Sequence, residues 1–100
     1  MNARIINAPR PEVLQMLERR MTPDLRARLR EQRIDAVGLV QTSIPDIFFL
    51  ADLAGKASGV FTVELHGSCP QHISTLAVFG ETAAVQAAMQ AIESQLGRAH

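Results

Sequence analysis

The apolar positions change their period several times along the chain, and each change marks an element. Val60 to Leu65 alternates Val60, Thr62 and Glu64 against Phe61, Val63 and Leu65, a period of two that predicts a strand with one buried face. Ile73 to Phe79 is a second strand-like run, and the seven polar or turn-forming residues between them, His66-Gly67-Ser68-Cys69-Pro70-Gln71-His72, make the pair a hairpin. Upstream, residues 36–41 (AVGLVQ) form a third strand closed by Thr42-Ser43, and Arg4 to Ala8 a fourth, closed by Pro9-Arg10-Pro11. Helical spacing governs the rest. Pro11 suits the first turn of a helix carrying Val13, Leu14 and Leu17, and Thr22-Pro23 is a cap-and-proline start for a second helix bearing Leu25 and Leu29. A third helix begins at Pro45, runs through Ile47, Phe48, Leu50, Ala51 and Ala54, and stops at Ser58-Gly59. The last opens after Gly80-Glu81-Thr82, keeps Val85, Ala88, Met89, Ile92 and Leu96 at helical spacing, and is expected to end at Gly97.

The order strand, helix, helix, strand, helix, hairpin, helix, with helices laid on one face of four strands, is an α+β two-layer sandwich of the ferredoxin-like kind. One hundred residues fit one domain. With 47% hydrophobic residues but four Phe and neither Trp nor Tyr, the core is aliphatic, and the Ala-rich helices of the second half pack close. No apolar run approaches the ~20 residues of a membrane span, and the opening MNARIINAPRPEV lacks the apolar core of a signal peptide, so a cytoplasmic home is expected. Net charge is formally zero, which gives nucleic acid or acidic lipid no purchase on the molecule as a whole. Six arginines lie between Arg19 and Arg33, but Glu18, Asp24, Glu31 and Asp35 interleave with them and no aromatic platform accompanies them; the segment reads as a solvated face.

The candidate chemistry is concentrated in the hairpin turn. Cys69 is the single cysteine, so it forms neither an intrachain disulfide nor a four-cysteine site by itself. Placed between Gly67 and Pro70 on a loop tip, its thiol is available to other molecules: as a cluster ligand together with other chains, as a pore-lining group, or as a nucleophile. His66 and His72 flank it as solvated turn residues or spare ligands. Cys-His catalysis is poorly supported, because no carboxamide or acidic orienter is evident and all three residues share one turn. Gly38 and Gly80 read as close-packing and turn glycines, with no phosphate-loop fingerprint around them.

Two stretches carry a family resemblance. DAVGLVQTSIPDIFFLADLAGKASGV (35–60) and TLAVFGETAAVQAAMQAI (75–92) resemble the shell-protein (BMC) domain of bacterial microcompartments, with its strand A-x-G-x-V, its helix ending A-D-x-x-x-K-A-x-x-V, a hairpin, a strand closing on G-[DE] and a helix opening x-x-V-x-x-A. RIINAPRPEVLQML (4–17) resembles the strand and helix that end ordinary shell domains and come first in the circularly permuted subgroup. The resemblance implies a circularly permuted BMC domain forming a flat cyclic homohexamer, with a pore loop of His66, Gly67, Ser68, Cys69, Pro70 and Gln71. Capped relatives carry an additional N-terminal strand; the sequence starts past it, and an uncapped pore is expected. The turn is similar to the cysteine-bearing pore loop of shell proteins from glycyl-radical-type microcompartments, which implies a 4Fe-4S iron-sulfur cluster shared between subunits with Cys69 as metal ligand. Lys56, the single lysine, stands where the family's hexamer-edge lysine stands; its alternative is an i to i+4 pair with Asp52. The implied role is structural and not enzymatic, in the shell of a cytoplasmic microcompartment, with other shell proteins as partners and neither nucleic acid nor membrane. The alternatives are a tile passing small metabolites without a metal, and a ferredoxin-like regulatory domain binding a small ligand.

Overall fold

A computed structural model of the chain describes residues 2–56, 59–65 and 73–98. The elements are β1 (Asn2–Asn7), α1 (Pro11–Glu18), α2 (Pro23–Arg30), β2 (Ala36–Ser43), α3 (Ile44–Lys56), β3 (Val60–Leu65), β4 (Ile73–Gly80) and α4 (Thr82–Arg98). The helix starts follow local chemistry. Pro11 opens α1 after an extended Arg10, and Thr22 Oγ1 accepts the Leu25 N–H at 3.3 Å ahead of Pro23. Ala8 turns the chain with a φ of 48°, and its N–H donates to the Asp35 carbonyl at 2.8 Å, tying the end of β1 to the start of β2. Gly59, with φ 84°, occupies the left-handed conformation that leads into β3.

Several boundaries differ from those expected: β1 spans Asn2–Asn7 in place of Arg4 to Ala8, and α3 opens at Ile44, one residue before Pro45. β2 continues through Thr42 and Ser43, because these residues pair with Ser74 and Ile73 of β4 and the ladder carries them past their turn propensity. α4 runs on through Gly97 to Arg98. Glycine permits a left-handed stop without imposing one, and its cost of ~1 kcal/mol inside a helix is small against a preceding helix of this length.

All strand pairs are antiparallel, in the order β1-β2-β4-β3. β2 and β3 therefore flank β4 in the same direction, and β4 and β1 flank β2 likewise. Placing β1 after α4 would turn the element order into β-α-β-β-α-β, the ferredoxin-like arrangement. The central strands bury alternate residues on opposite faces. Ala36, Val40, Leu76 and Val78 join Ile47, Leu50 and Ala54 of α3 and Val85, Ala88, Met89 and Ile92 of α4. Val37, Ala77 and Phe79, with Val63 and Leu65 of β3, pack against Leu17, Met21 and Leu29.

The one-face expectation therefore holds for α3 and α4, whereas α1 and α2 cover the opposite face. The reason lies in β2 and β4 themselves, which are apolar at successive positions and leave two faces to be shielded. The expected close packing is seen at both glycines. A Cβ on Gly38 would sit 2.5 Å from Met89 Sδ, and one on Gly80 would sit 2.6 Å from the Gly59 carbonyl oxygen.

Candidate functional site

The residues expected to carry chemistry, His66, Gly67, Ser68, Cys69, Pro70, Gln71 and His72, lie outside the described residues. The structure does fix the stem that presents them. β3 and β4 pair from Val60↔Gly80 to Leu65↔Thr75, and β4 begins two residues earlier, where Ile73 and Ser74 pair with Ser43 and Thr42 of β2. The strand returning from the turn is thus held by two neighbours in succession. The alternation of β3 sends Leu65 into the α1/α2 cluster and Glu64 to the other face, where Ser74 Oγ donates to Glu64 Oε2 at 2.6 Å. Nearby on the β2–α3 junction, Thr42 Oγ1 donates to Asp46 Oδ2 at 3.5 Å, a long and weak contact. The turn therefore springs from a stem that is packed on one face and hydrogen-bonded on the other. Among the described residues, no three His, Cys, Asp or Glu come together as a metal site.

Lys56 Nζ lies 2.7 Å from Asp52 Oδ2, with both side chains largely exposed. The i to i+4 pair expected as the alternative is present, in the favourable order with the acid nearer the helix N-terminus. Both groups remain open to solvent on the outer face of α3. The Arg-rich segment forms a solvated, ion-paired face: Arg30 meets Glu18 at 3.1 Å, and Arg33 meets Asp35 at 3.1 Å and Glu81 at 4.0 Å. Arg28 stands over the Phe61 ring, 5.6 Å from its centroid, an attraction that composition did not reveal. The sequence reading also passed over the exposure of Phe48 and Phe49, whose relative exposures are 67% and 55%. The signal was available, since a seam of Ile47, Leu50 and Ala54 turns the intervening positions outward. No described helix is long and apolar enough to cross a membrane.

Comparison with known proteins decides the lineage. Residues 36–100 match the family model described as BMC domain. The ligand-free structure of the GrpU microcompartment shell protein of Pectobacterium wasabiae superposes with a TM-score of 0.78 at 48% identity, covering 92% of this chain and 99% of that one. The chain belongs to the BMC-domain family. The GrpU shell protein of Clostridiales bacterium 1_7_47FAA, also ligand-free, gives a TM-score of 0.70 at 32% identity, covering 93% and 88% of the two chains. No curated protein sequence matches.

The motifs that suggested a BMC domain have visible packing reasons. In the A-x-G-x-V strand, Ala36 and Val40 are buried toward α3 and α4, and Gly38 leaves room for Met89. In A-D-x-x-x-K, Ala51 packs against the core while Asp52 and Lys56 face solvent. Gly80 closes β4 against the Gly59 backbone, and Val85 and Ala88 bring α4 down onto the sheet of this BMC domain.

Proposed function

We propose that the chain is a structural tile of a bacterial microcompartment shell, a cyclic homohexamer sited with other shell proteins in the cytoplasm, whose central pore is lined by the turn from His66 to Gln71. The reading is carried by the near full-length likeness to GrpU shell proteins, and it is supported by a sheet order that matches a β-α-β-β-α-β domain read with its last strand first, that is, a circularly permuted single BMC domain. Light scattering at micromolar concentration is expected to give six chains per particle. A monomer would overturn the tile.

The specialisation of this tile is an iron-sulfur cluster held by Cys69 thiolates of several chains. The donor set fits that group in one respect: a single thiolate per chain suits a site assembled around a symmetry axis and not one enclosed within a chain. When bound, the cluster would supply one-electron chemistry at the pore. Cys69 would provide the ligands, Gly67 would give the turn freedom to break sixfold symmetry for a four-ligand cluster, and the Glu64–Ser74 pair would hold the stem in place.

Anaerobically purified protein should be brown, contain about four iron atoms for six chains, and lose all colour in Cys69→Ser. At least one metal per chain would instead indicate a site built from Cys69, His66 and His72 of the same turn. Absence of visible absorption after anaerobic reconstitution with iron and sulfide would discard the cluster and leave a pore that passes small metabolites without a metal.

A further inference from the structure

Between α1 and the sheet lies a groove of about 350 Å³. That volume lies within the range of small-molecule sites, roughly 300–1,000 Å³. Ile6 of β1, Leu39 of β2 and Leu65 of β3 come from the sheet, and Val13 and Leu17 come from α1. Among the described lining residues, Arg20 and Thr75 are the polar ones. Among the described residues that line the groove none carries a carboxylate, and Arg20 is the charged one. One nitrogen of its guanidinium donates to the Met16 carbonyl at 3.0 Å; no other contact engages the guanidinium among the described residues.

We propose that this groove binds a small unbranched aliphatic molecule ending in a carboxylate. The apolar lining takes the alkyl chain. The remaining N–H donors of Arg20 take the carboxylate, in the planar geometry that guanidinium and carboxylate share, and the Thr75 hydroxyl offers a further donor. Charge complementarity selects an anion over an alcohol or an amine, and the apolar lining rewards chain length. Leu65 and Thr75 are the last β3–β4 pair before the turn, so an occupant of the groove would touch the base of the hairpin.

The probes are butyrate, hexanoate, octanoate below its micelle concentration, and 1-octanol, titrated into the full chain labelled at Ile, Leu, Val and Met methyls, with methyl NMR suited to a hexamer. Saturable shifts are expected at Ile6, Met16, Leu39 and Leu65, with Ile47 and Ile92 on the opposite face unmoved. Affinity should rise about twofold to fourfold per methylene. Arg20 is exposed, so Arg20→Gln leaves the fold intact; it should weaken octanoate about fivefold and leave octanol unchanged.

Shifts that never saturate, octanol binding as tightly as octanoate, or an Arg20→Gln chain that binds octanoate normally would each overturn the proposal. So would groove methyls that move on dilution of the unliganded protein, since a second copy of the chain would then be the occupant.

Discussion

Two glycines that read alike in the sequence face unlike neighbours. A methyl on Gly38 meets Met89 Sδ and Cγ, atoms of a flexible side chain, whereas one on Gly80 meets the Gly59 carbonyl, backbone that moves only if β3 shifts. Gly38→Ala is therefore expected to cost about 1 kcal/mol, and Gly80→Ala about 2–3 kcal/mol. Urea denaturation of both variants checks the order, and a Gly38 variant that is the weaker of the two would contradict it. That both positions demand glycine was legible from their place at a tight strand and a strand end. What they press against was not, because Met89 arrives from α4 and Gly59 from just ahead of β3, the strand paired with β4, and no local pattern encodes such approaches. Cys69 presents another case: its place in the turn that joins β3 to β4 was legible, whereas a turn of Gly, Ser and Pro fixes no conformation by pattern alone.

At the level of elements, α3 separates what folds the chain from what the outer face presents. Leu50 is fully buried, and Leu50→Ala should cost about 2–5 kcal/mol. Phe48→Ser with Phe49→Ser should leave the chain folded, as both rings already face solvent. Lys56→Ala removes an exposed pair with Asp52 worth about 0.3–0.5 kcal/mol, too little to see in a melting curve. If Lys56 joins neighbouring hexamers, the same variant, and more so Lys56→Asp, will abolish two-dimensional layers seen by electron microscopy while the hexamer persists. Intact layers would remove Lys56 from the edge. The helix existed in the sequence as a periodic run, but its inner seam of Ile47, Leu50 and Ala54 was obscured by two adjacent aromatics that composition would place inside. Ends were the least legible part: Ser43 and Gly97 carry turn and stop propensities that ladder pairing and helix continuation overrode.

For the whole molecule, element order and the four-stranded sheet could be read from periodicity, whereas the side on which α1 and α2 sit could not. Their apolar stripes require a partner surface without naming it. The successive apolar residues of β2 were the available sign that both faces need cover. The two covers differ in grip. α3 and α4 lie on the sheet through Ile47, Leu50, Ala54, Val85, Ala88, Met89 and Ile92, but α1 and α2 are eight residues each, begin at prolines, and attach mainly through Leu17, Met21 and Leu29. Helices this short have little stability of their own. Their detachment is expected to need less free energy than global unfolding, so that this segment opens while the remainder stays folded. The arginines between Arg19 and Arg33 then become cleavage sites. Limited digestion of the native protein with trypsin should cut first within that segment, ahead of Lys56, and the fragment beginning near Ile34 should outlast the intact chain. Amides of α1 and α2 should likewise exchange with solvent before those of β2 and β4, making one helical layer of the domain a fast clock and the centre of the sheet a slow one.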